Sequence, residues 1–136
     1  MTKRLAIIAI GCGAVAAALL APAALAAPPA GSPVTITDTV TSGSGGQSSS
    51  GVFQSTAPLC SAGTFTQDRA YKFTFTHTCT DGTGTFTVTL QGSSSNHKWS
   101  FVDGTGAYEH IKGSGQWASN CGSIPCQAVL TGTVTL

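Results

Sequence analysis

Charged side chains are scarce in this chain, in which Asp, Glu, Lys and Arg make up only 8% of the 136 residues. Six basic residues stand against five acidic ones, which gives a formal net charge of +1. A nucleic-acid-binding protein concentrates Lys and Arg on one face, and a membrane-surface protein carries a cationic amphipathic helix. The sequence has neither feature, so we expect no nucleic-acid partner.

Long apolar runs are also missing, with one exception near the N-terminus. Two basic residues precede an apolar run of about 16 residues, Leu5 to Leu20, and Ala24-Leu25-Ala26 follows it. A basic start, an apolar stretch and small residues at the cleavage point are typical of a secretory signal peptide. We therefore predict that residues 1–26 are removed and that residues 27–136 form one extracellular domain.

Two other interpretations of this segment stay open. An uncleaved membrane anchor would need ~20 apolar residues, more than the run contains. A lipoprotein would carry its lipid on Cys12, although Ala9-Ile10-Gly11 fits a lipobox poorly. With the segment removed, four basic residues face five acidic ones, and no membrane partner is expected.

Four of the five cysteines lie beyond the signal segment, and an even number in a small exported chain predicts disulfides. Of the three possible pairings we favour Cys60–Cys79 and Cys121–Cys126, because Pro125 helps the second pair to close a short loop. Loop entropy assigns the two bridges roughly 3 and 2 kcal/mol. No cysteine pair has the two-residue spacing of a zinc knuckle, so neither a metal nor a cofactor is predicted.

Threonine dominates the rest of the chain and alternates with apolar residues. The pattern is clear in Phe73-Thr74-Phe75-Thr76 and in Thr85-Phe86-Thr87-Val88-Thr89-Leu90. Successive side chains of a strand point to opposite faces, so this alternation predicts strands with an apolar inner face and a threonine outer face. No window of a dozen residues has the spacing of an amphipathic helix, and the fold class is therefore all-β.

Turn residues divide the alternating pattern into eight predicted strands, with a flexible Gly- and Ser-rich loop at 41–51 between the first two. Short strands at regular spacing predict an antiparallel barrel or a sandwich. The last strand reaches the final residue, which favours a barrel because that strand can pair with a neighbour and close the edge. The strands are placed at 33–40, 51–57, 63–67, 70–79, 84–91, 97–103, 107–118 and 126–136.

A glycine-rich stretch after the sixth predicted strand points to one kind of barrel. Gly104-Thr105-Gly106 follows an aromatic strand, Tyr108 comes two residues later, and Gly113 and Gly115 come soon after. The whole stretch from Trp99 to Gly115 resembles the hairpin of the allene oxide cyclase and dirigent-like barrels. It also resembles a group of small, mostly uncharacterised secreted bacterial proteins.

The resemblance implies a small antiparallel eight-stranded β-barrel with a central cavity. Plant members of the superfamily cyclise or steer reactive hydrophobic intermediates, but their catalytic residues have no counterparts that we can assign in this chain. Asp103 stands where a second glycine often precedes the Gly-Thr-Gly, and His110 stands where a small residue is usual. If the hairpin itself has a function, we expect Asp103 and His110 to be the residues that carry it.

Polar residues in the apolar register of a strand are the sharpest site candidates, because a buried polar group needs a partner or a solvated cavity. Asp38 shares the parity of Ile36, and His77 shares that of Phe75. His97 and Asp103 share the parity of Trp99, so they are expected to point inward as well. The alternative is that such residues lie at strand ends and cap turns in water. The predicted site is a pocket at the mouth of the barrel, and its ligand-binding residues are His77, His97, Trp99, Asp103, Tyr108 and His110.

Other chemistries have weaker support. A metal site built from Asp38, His77 and His97 has no spacing motif behind it. Nucleophilic catalysis by serine is not supported, because no serine lies in a Gly-x-Ser-x-Gly elbow. Glycoside hydrolysis would need two carboxylates that meet across a cleft, and Asp68 and Asp81 lie beside turns, where solvation is the default.

Three functions follow from the sequence. The first is a secreted, disulfide-stabilised barrel that binds a small hydrophobic ligand without catalysis. The second is a cyclase or isomerase that acts inside the barrel. The third is an extracellular module that binds carbohydrate through Trp117 or binds another protein. The sequence does not indicate the oligomeric state.

Overall fold

The computed structural model describes residues 31–43, 48–68, 73–92 and 97–136, and these residues form eight antiparallel strands. Each strand pairs with the next, and β8 pairs with β1, so the sheet closes into a barrel. The predicted all-β class and eight-stranded barrel are thus confirmed, whereas the predicted signal segment 1–26 lies outside the described residues. The strands are β1 Ser32–Ser42, β2 Ser50–Ser55, β3 Ala62–Asp68, β4 Thr74–Cys79, β5 Gly84–Gln91, β6 Lys98–Gly106, β7 Lys112–Ser119 and β8 Cys126–Thr135.

The alternation read from the sequence is the alternation of inner and outer faces in the barrel. In β1, the buried side chains of Val34, Ile36, Asp38 and Val40 alternate with partly exposed threonines. On the outer face, threonines lie opposite one another across strands, and Thr85 and Thr105 are joined by a hydroxyl hydrogen bond of 2.8 Å. Such cross-strand pairs stabilise the sheet modestly and leave an uncharged surface.

The two ends of the barrel differ. The β2–β3 and β6–β7 connections lie at one end, and they bury Leu59, Cys60, Tyr108 and Ile111. The Tyr108 hydroxyl accepts a hydrogen bond of 2.9 Å from the backbone N–H of Cys60. These residues close that end, which we call the closed end. Inside the barrel the largest fully buried side chains include Trp99, Phe53, Phe65, Phe86 and Leu130.

A β-bulge in β6 changes which residues of that strand face the core. Thr87 pairs with Asp103, but its neighbour Val88 pairs with Phe101, so Val102 is an extra residue in β6. One extra residue reverses the alternation of side chains from there on. Gly104 therefore lies opposite Phe86. The expectation that Asp103 shares the inward register of Trp99 is wrong for this reason, and Asp103 is exposed.

The glycine-rich stretch also begins and ends differently from its prediction. Gly104-Thr105-Gly106 is the end of β6 and pairs with β5, and the turn consists of residues 107–110. Gly106 makes this possible because its φ of 62° lies in the left-handed region, which glycine adopts without a steric penalty. The seventh strand consequently starts at Lys112 rather than at 107.

Two further expectations need correction. Thr41 and Ser42 belong to β1, and Ser50 and Gly51 belong to β2, so the predicted loop at 41–51 is shorter at both ends; residues 44–47 lie outside the described ranges. Phe73 is 55% exposed instead of pointing inward. Its φ of 51° is left-handed, and this conformation takes it out of the strand register just before β4.

Both predicted disulfides are present. Cys60–Cys79 ties the closed end together, and Cys121–Cys126 closes the connection between β7 and β8. Because disulfides form and persist in oxidising compartments, the two bridges indicate an extracellular-type environment. None of the described residues belongs to a helix with the length and hydropathy of a membrane span.

Trp99 shows why small residues are needed on one wall of the barrel. In the register of the sheet, Trp99 on β6 pairs with Gly115 on β7, and Gly115 pairs with Gly132 on β8. The indole N–H of Trp99 donates a 3.1 Å hydrogen bond to the carbonyl of Thr131, two strands away. A Cβ added to Gly115 would collide with that same carbonyl oxygen. The close approach of the backbones at Gly115 therefore depends on glycine.

We predict that Gly115→Ala lowers the free energy of unfolding by about 1–3 kcal/mol, because the backbone of β8 has to move to admit the methyl group. The measurement is urea denaturation followed by tryptophan fluorescence, with the disulfides intact. Gly122→Ala is the matched control, since a Cβ there meets no atom within 4 Å. Equal stabilities for the two variants would contradict the prediction.

Candidate functional site

A pocket of about 360 Å³ lies at the end of the barrel opposite Tyr108, which we call the open end. The end of β1, β3, β5 and β7 and the start of β2, β4, β6 and β8 all lie at this end of the barrel, because consecutive strands are antiparallel. The β7–β8 connection, closed by the Cys121–Cys126 disulfide, forms one lip. Strands β1, β3, β4, β5, β7 and β8 provide Asp38, Val40, Gln67, Phe75, Leu90, Trp117, Ser119, Cys126 and Ala128.

The pocket is mostly apolar, and two buried polar side chains face it. Asp38 is only 2% exposed and Gln67 only 7% exposed, yet both line the pocket. Both residues follow the alternation of their strands, in which Asp38 continues the inner face of Ile36 and Gln67 that of Phe65. Binding sites for small molecules commonly combine an apolar wall with a few placed polar groups, and this pocket has that composition.

Asp38 is joined to His77 behind it. The Nε2 atom of His77 lies 3.0 Å from one carboxylate oxygen and 3.2 Å from the other. An ionised carboxylate only accepts hydrogen bonds, so Nε2 carries the proton between them. His77 itself is fully buried and does not line the pocket. Asp38 is consequently the member of the pair that a ligand would contact.

The surroundings of His77 are aromatic. Its ring stacks on Phe86 with centroids 4.7 Å apart and planes 10° apart, and Phe53 meets it edge-on at 4.9 Å. Its second nitrogen, Nδ1, has no hydrogen-bond partner among the described residues. A buried polar atom without a partner costs free energy. The ring is held in place by its contacts with Phe86 and Phe53 and by its one polar contact, with Asp38.

The predicted site residues do not form a single group. Among the predicted residues, His97 lies at the open end, exposed, with its ring stacked on Trp117 at a centroid distance of 4.4 Å. Trp99 is buried in the barrel wall and uses its indole N–H on Thr131. His77 lies in the core behind Asp38. The open end thus brings together a buried pair and a surface aromatic pair, with Trp117 lining the pocket.

The other three predicted residues lie toward the closed end. Tyr108 is buried there and holds the Cys60 backbone. Asp103 and His110 are exposed and line a separate depression, in which Asp103 accepts a 2.9 Å hydrogen bond from the N–H of Gly104. His77, His97 and Asp103 therefore do not converge on one ligand, since His97 directly precedes β6 at the open end and Asp103 lies toward the other end of that strand.

The alternative interpretation, that these polar residues cap turns in water, fits His97 and Asp103 but not the buried pair Asp38 and His77. The residues of the metal hypothesis are likewise only partly together, because His97 does not join the pair. In the described part of the chain, Cys60, Cys79 and Asp81 place possible ligand atoms within 4.8 Å. The two sulfurs are bonded to each other, which removes them as metal ligands.

Sequence reasoning did not single out Gln67, Leu90 or Ala128 as pocket residues. Gln67 could have been found by the parity rule that found Asp38, because it follows Gly63 and Phe65 on the inner face of β3. Leu90 and Ala128 look like ordinary core positions in the sequence. Their exposure to the pocket depends on how far the core fills the barrel, which strand patterns do not reveal.

Comparisons with known proteins provide no assignment: no family model, curated protein or solved structure matches the chain. The geometry of the open end is consequently the basis for assigning a function.

We predict that His77→Leu lowers the free energy of unfolding by about 3 kcal/mol, because it leaves the buried Asp38 carboxylate without its hydrogen-bond donor. The double variant Asp38→Leu/His77→Leu should recover most of the loss, since no unpaired charge remains. Urea denaturation measures both. His110→Leu is the exposed control and should stay within about 0.5 kcal/mol of the wild type. A His77→Leu loss as small as that of the control would show that the pair adds nothing to stability.

Proposed function

We propose that the protein is a binding protein that holds a small, mostly apolar molecule in the pocket at the open end, without chemical conversion. The observation that supports this most is the pocket itself, about 360 Å³ in volume and walled by Phe75, Leu90 and Trp117. That volume lies within the ~300–1,000 Å³ typical of small-molecule sites. Gln67 and Asp38 supply the polar contacts that would orient the molecule.

The apolar wall gives the binding energy in this proposal. A ligand that covers Phe75, Leu90 and the ring of Trp117 removes apolar surface from water, which is favourable by roughly 25 cal/mol per Å². The Trp117 ring is fixed by a 3.2 Å hydrogen bond from its indole N–H to the carbonyl of Gln91. A preformed wall of this kind needs little ordering when a ligand enters, and affinity is higher for that reason.

We further propose that the protein is secreted and that residues 1–26 direct its export. The apolar run and the small residues before Ala27 support this, and the two disulfides agree with an extracellular site of action. A distant relationship to the allene oxide cyclase and dirigent-like barrels is also part of the proposal. The strand number and the Trp99 to Gly115 stretch support that relationship.

One observation favours an enzymatic alternative. Asp38 lines the pocket and is hydrogen-bonded to His77, and a carboxylate held by a histidine is an arrangement suited to moving a proton. A cyclase or isomerase acting on the bound molecule would need such a group and no cofactor. NMR spectra of a ligand before and after incubation with the protein separate the two. A cyclase or isomerase changes the ligand's structure without changing its mass, whereas a binding protein returns the ligand unchanged.

We predict that the wild-type protein binds the uncharged fluorophore N-phenyl-1-naphthylamine, whose fluorescence rises in an apolar pocket, and that Ala128→Phe weakens this binding at least about tenfold by filling the pocket. Ala118→Phe is the matched control, because Ala118 is exposed on the outer face of β7. Thermal unfolding verifies that both variants are folded. Failure of the wild type to bind the probe, or equal binding by the two variants, would overturn the proposed site.

A further inference from the structure

We infer that the pocket selects organic cations, namely molecules with an apolar body and a protonated amine directed at Asp38. This inference rests on the proposed function and specifies the class of ligand. Its starting point is charge: among the described residues that line the pocket, Asp38 is the only ionisable side chain. The other polar lining groups are uncharged hydroxyls, an amide and backbone atoms.

The charge of Asp38 is not cancelled by its neighbour. His77 is fully buried against Phe86 and Phe53, and its Nδ1 has no hydrogen-bond acceptor. A protonated imidazole would bury a second N–H without a partner, which is costly in apolar surroundings. The neutral ring with its proton on Nε2 satisfies the geometry, so the pair carries the negative charge of the carboxylate.

With respect to the described residues, the carboxylate also has acceptor capacity left. Two carboxylate oxygens offer about four lone-pair positions. In the part of the chain that the structure describes, the hydrogen bonds to Asp38 all come from the single N–H of His77. Burial of a charge with one donor is unfavourable, and an ammonium group in the pocket would supply both more donors and the opposite charge. The floor of the pocket is therefore better suited to a cation than to a neutral or acidic group.

The walls of the pocket suit a cation too. Phe73, Phe75 and Trp117 all line it. The faces of aromatic rings attract cations, most strongly for tryptophan. The side-chain carbonyl of Gln67, which also lines the pocket, is a further acceptor. An anionic ligand would meet the Asp38 carboxylate with repulsion, so charge sign is the property on which the pocket discriminates.

The experiment compares three molecules that differ only in their end group: phenylpropylammonium, phenylpropanol and phenylpropanoate. Each is titrated against the complex of wild-type protein with N-phenyl-1-naphthylamine at about pH 7, where the amine is protonated and the acid ionised. We expect the ammonium compound to displace the probe at a concentration at least about tenfold lower than the alcohol, and the carboxylate to be weakest.

Asp38→Asn, which keeps the shape and removes the charge, should bring the ammonium compound and the alcohol to equal affinity. Asp103→Asn is the matched control, because Asp103 is an exposed carboxylate away from the pocket, and it should keep the wild-type order. A second measurement does not depend on the variant folding. In wild-type protein labelled with ¹⁵N, the side-chain nitrogen signals of His77 should shift on adding the ammonium compound and not on adding the alcohol.

The outcomes separate this inference from the proposed function. If the alcohol or the carboxylate binds as tightly as the ammonium compound in the wild type, charge selection is refuted while the apolar pocket stands. Retention of the preference in Asp38→Asn would likewise refute the role of that carboxylate. If neither the probe nor any of the three compounds binds, the proposed function itself fails.

Discussion

Closure of the barrel through the pairing of β1 with β8 is the constraint on which the rest of the structure depends. Residues Ser32 to Val40 lie against Cys126 to Val134, so the first and last strands share one seam. With eight strands, the interior of a barrel is about wide enough for side chains to fill it. Large residues such as Phe53, Phe86 and Trp99 fill it here. The pocket forms where that filling stops, at the open end. At the closed end, the buried residues around Tyr108 close the barrel.

Much of this fold could be predicted from the sequence because period-two alternation has a single structural cause. The number of strands and the inward positions of Ile36, Asp38 and His77 follow from local patterns, and the disulfide pairing that we favoured is the one present. The errors occur where a long-range feature overrides the pattern. The pairing of β5 with β6 shifts by one residue at Val102, and this bulge reverses the side of the sheet on which Asp103 lies. The left-handed conformation of Phe73 has the same effect at the start of β4.

The site could be predicted only in part, for a related reason. Parity identifies which polar residues enter the barrel, and it identified the two members of the Asp38 and His77 pair without showing that they meet. Their contact joins β1 to β4, two strands that are not neighbours in the sheet. A contact across the interior depends on the width of the barrel and on the size of the rings between the strands. Neither quantity is written in the pattern of one strand, and the same holds for the depth of the pocket beside Leu90 and Ala128.

The position of the pair argues for a role beyond stability. Replacing both members of a buried hydrogen-bonded pair with apolar residues of similar size is often neutral or stabilising, so a barrel that only had to fold would do as well without this one. In this barrel, the histidine lies in the filled core and the carboxylate lies at the boundary between core and pocket. His77 therefore fixes the orientation of Asp38, and it is the hydrogen-bond donor to this carboxylate among the residues that the structure describes. A charge held in this way contributes little to packing, and in the proposed function it acts on the molecule that enters the pocket.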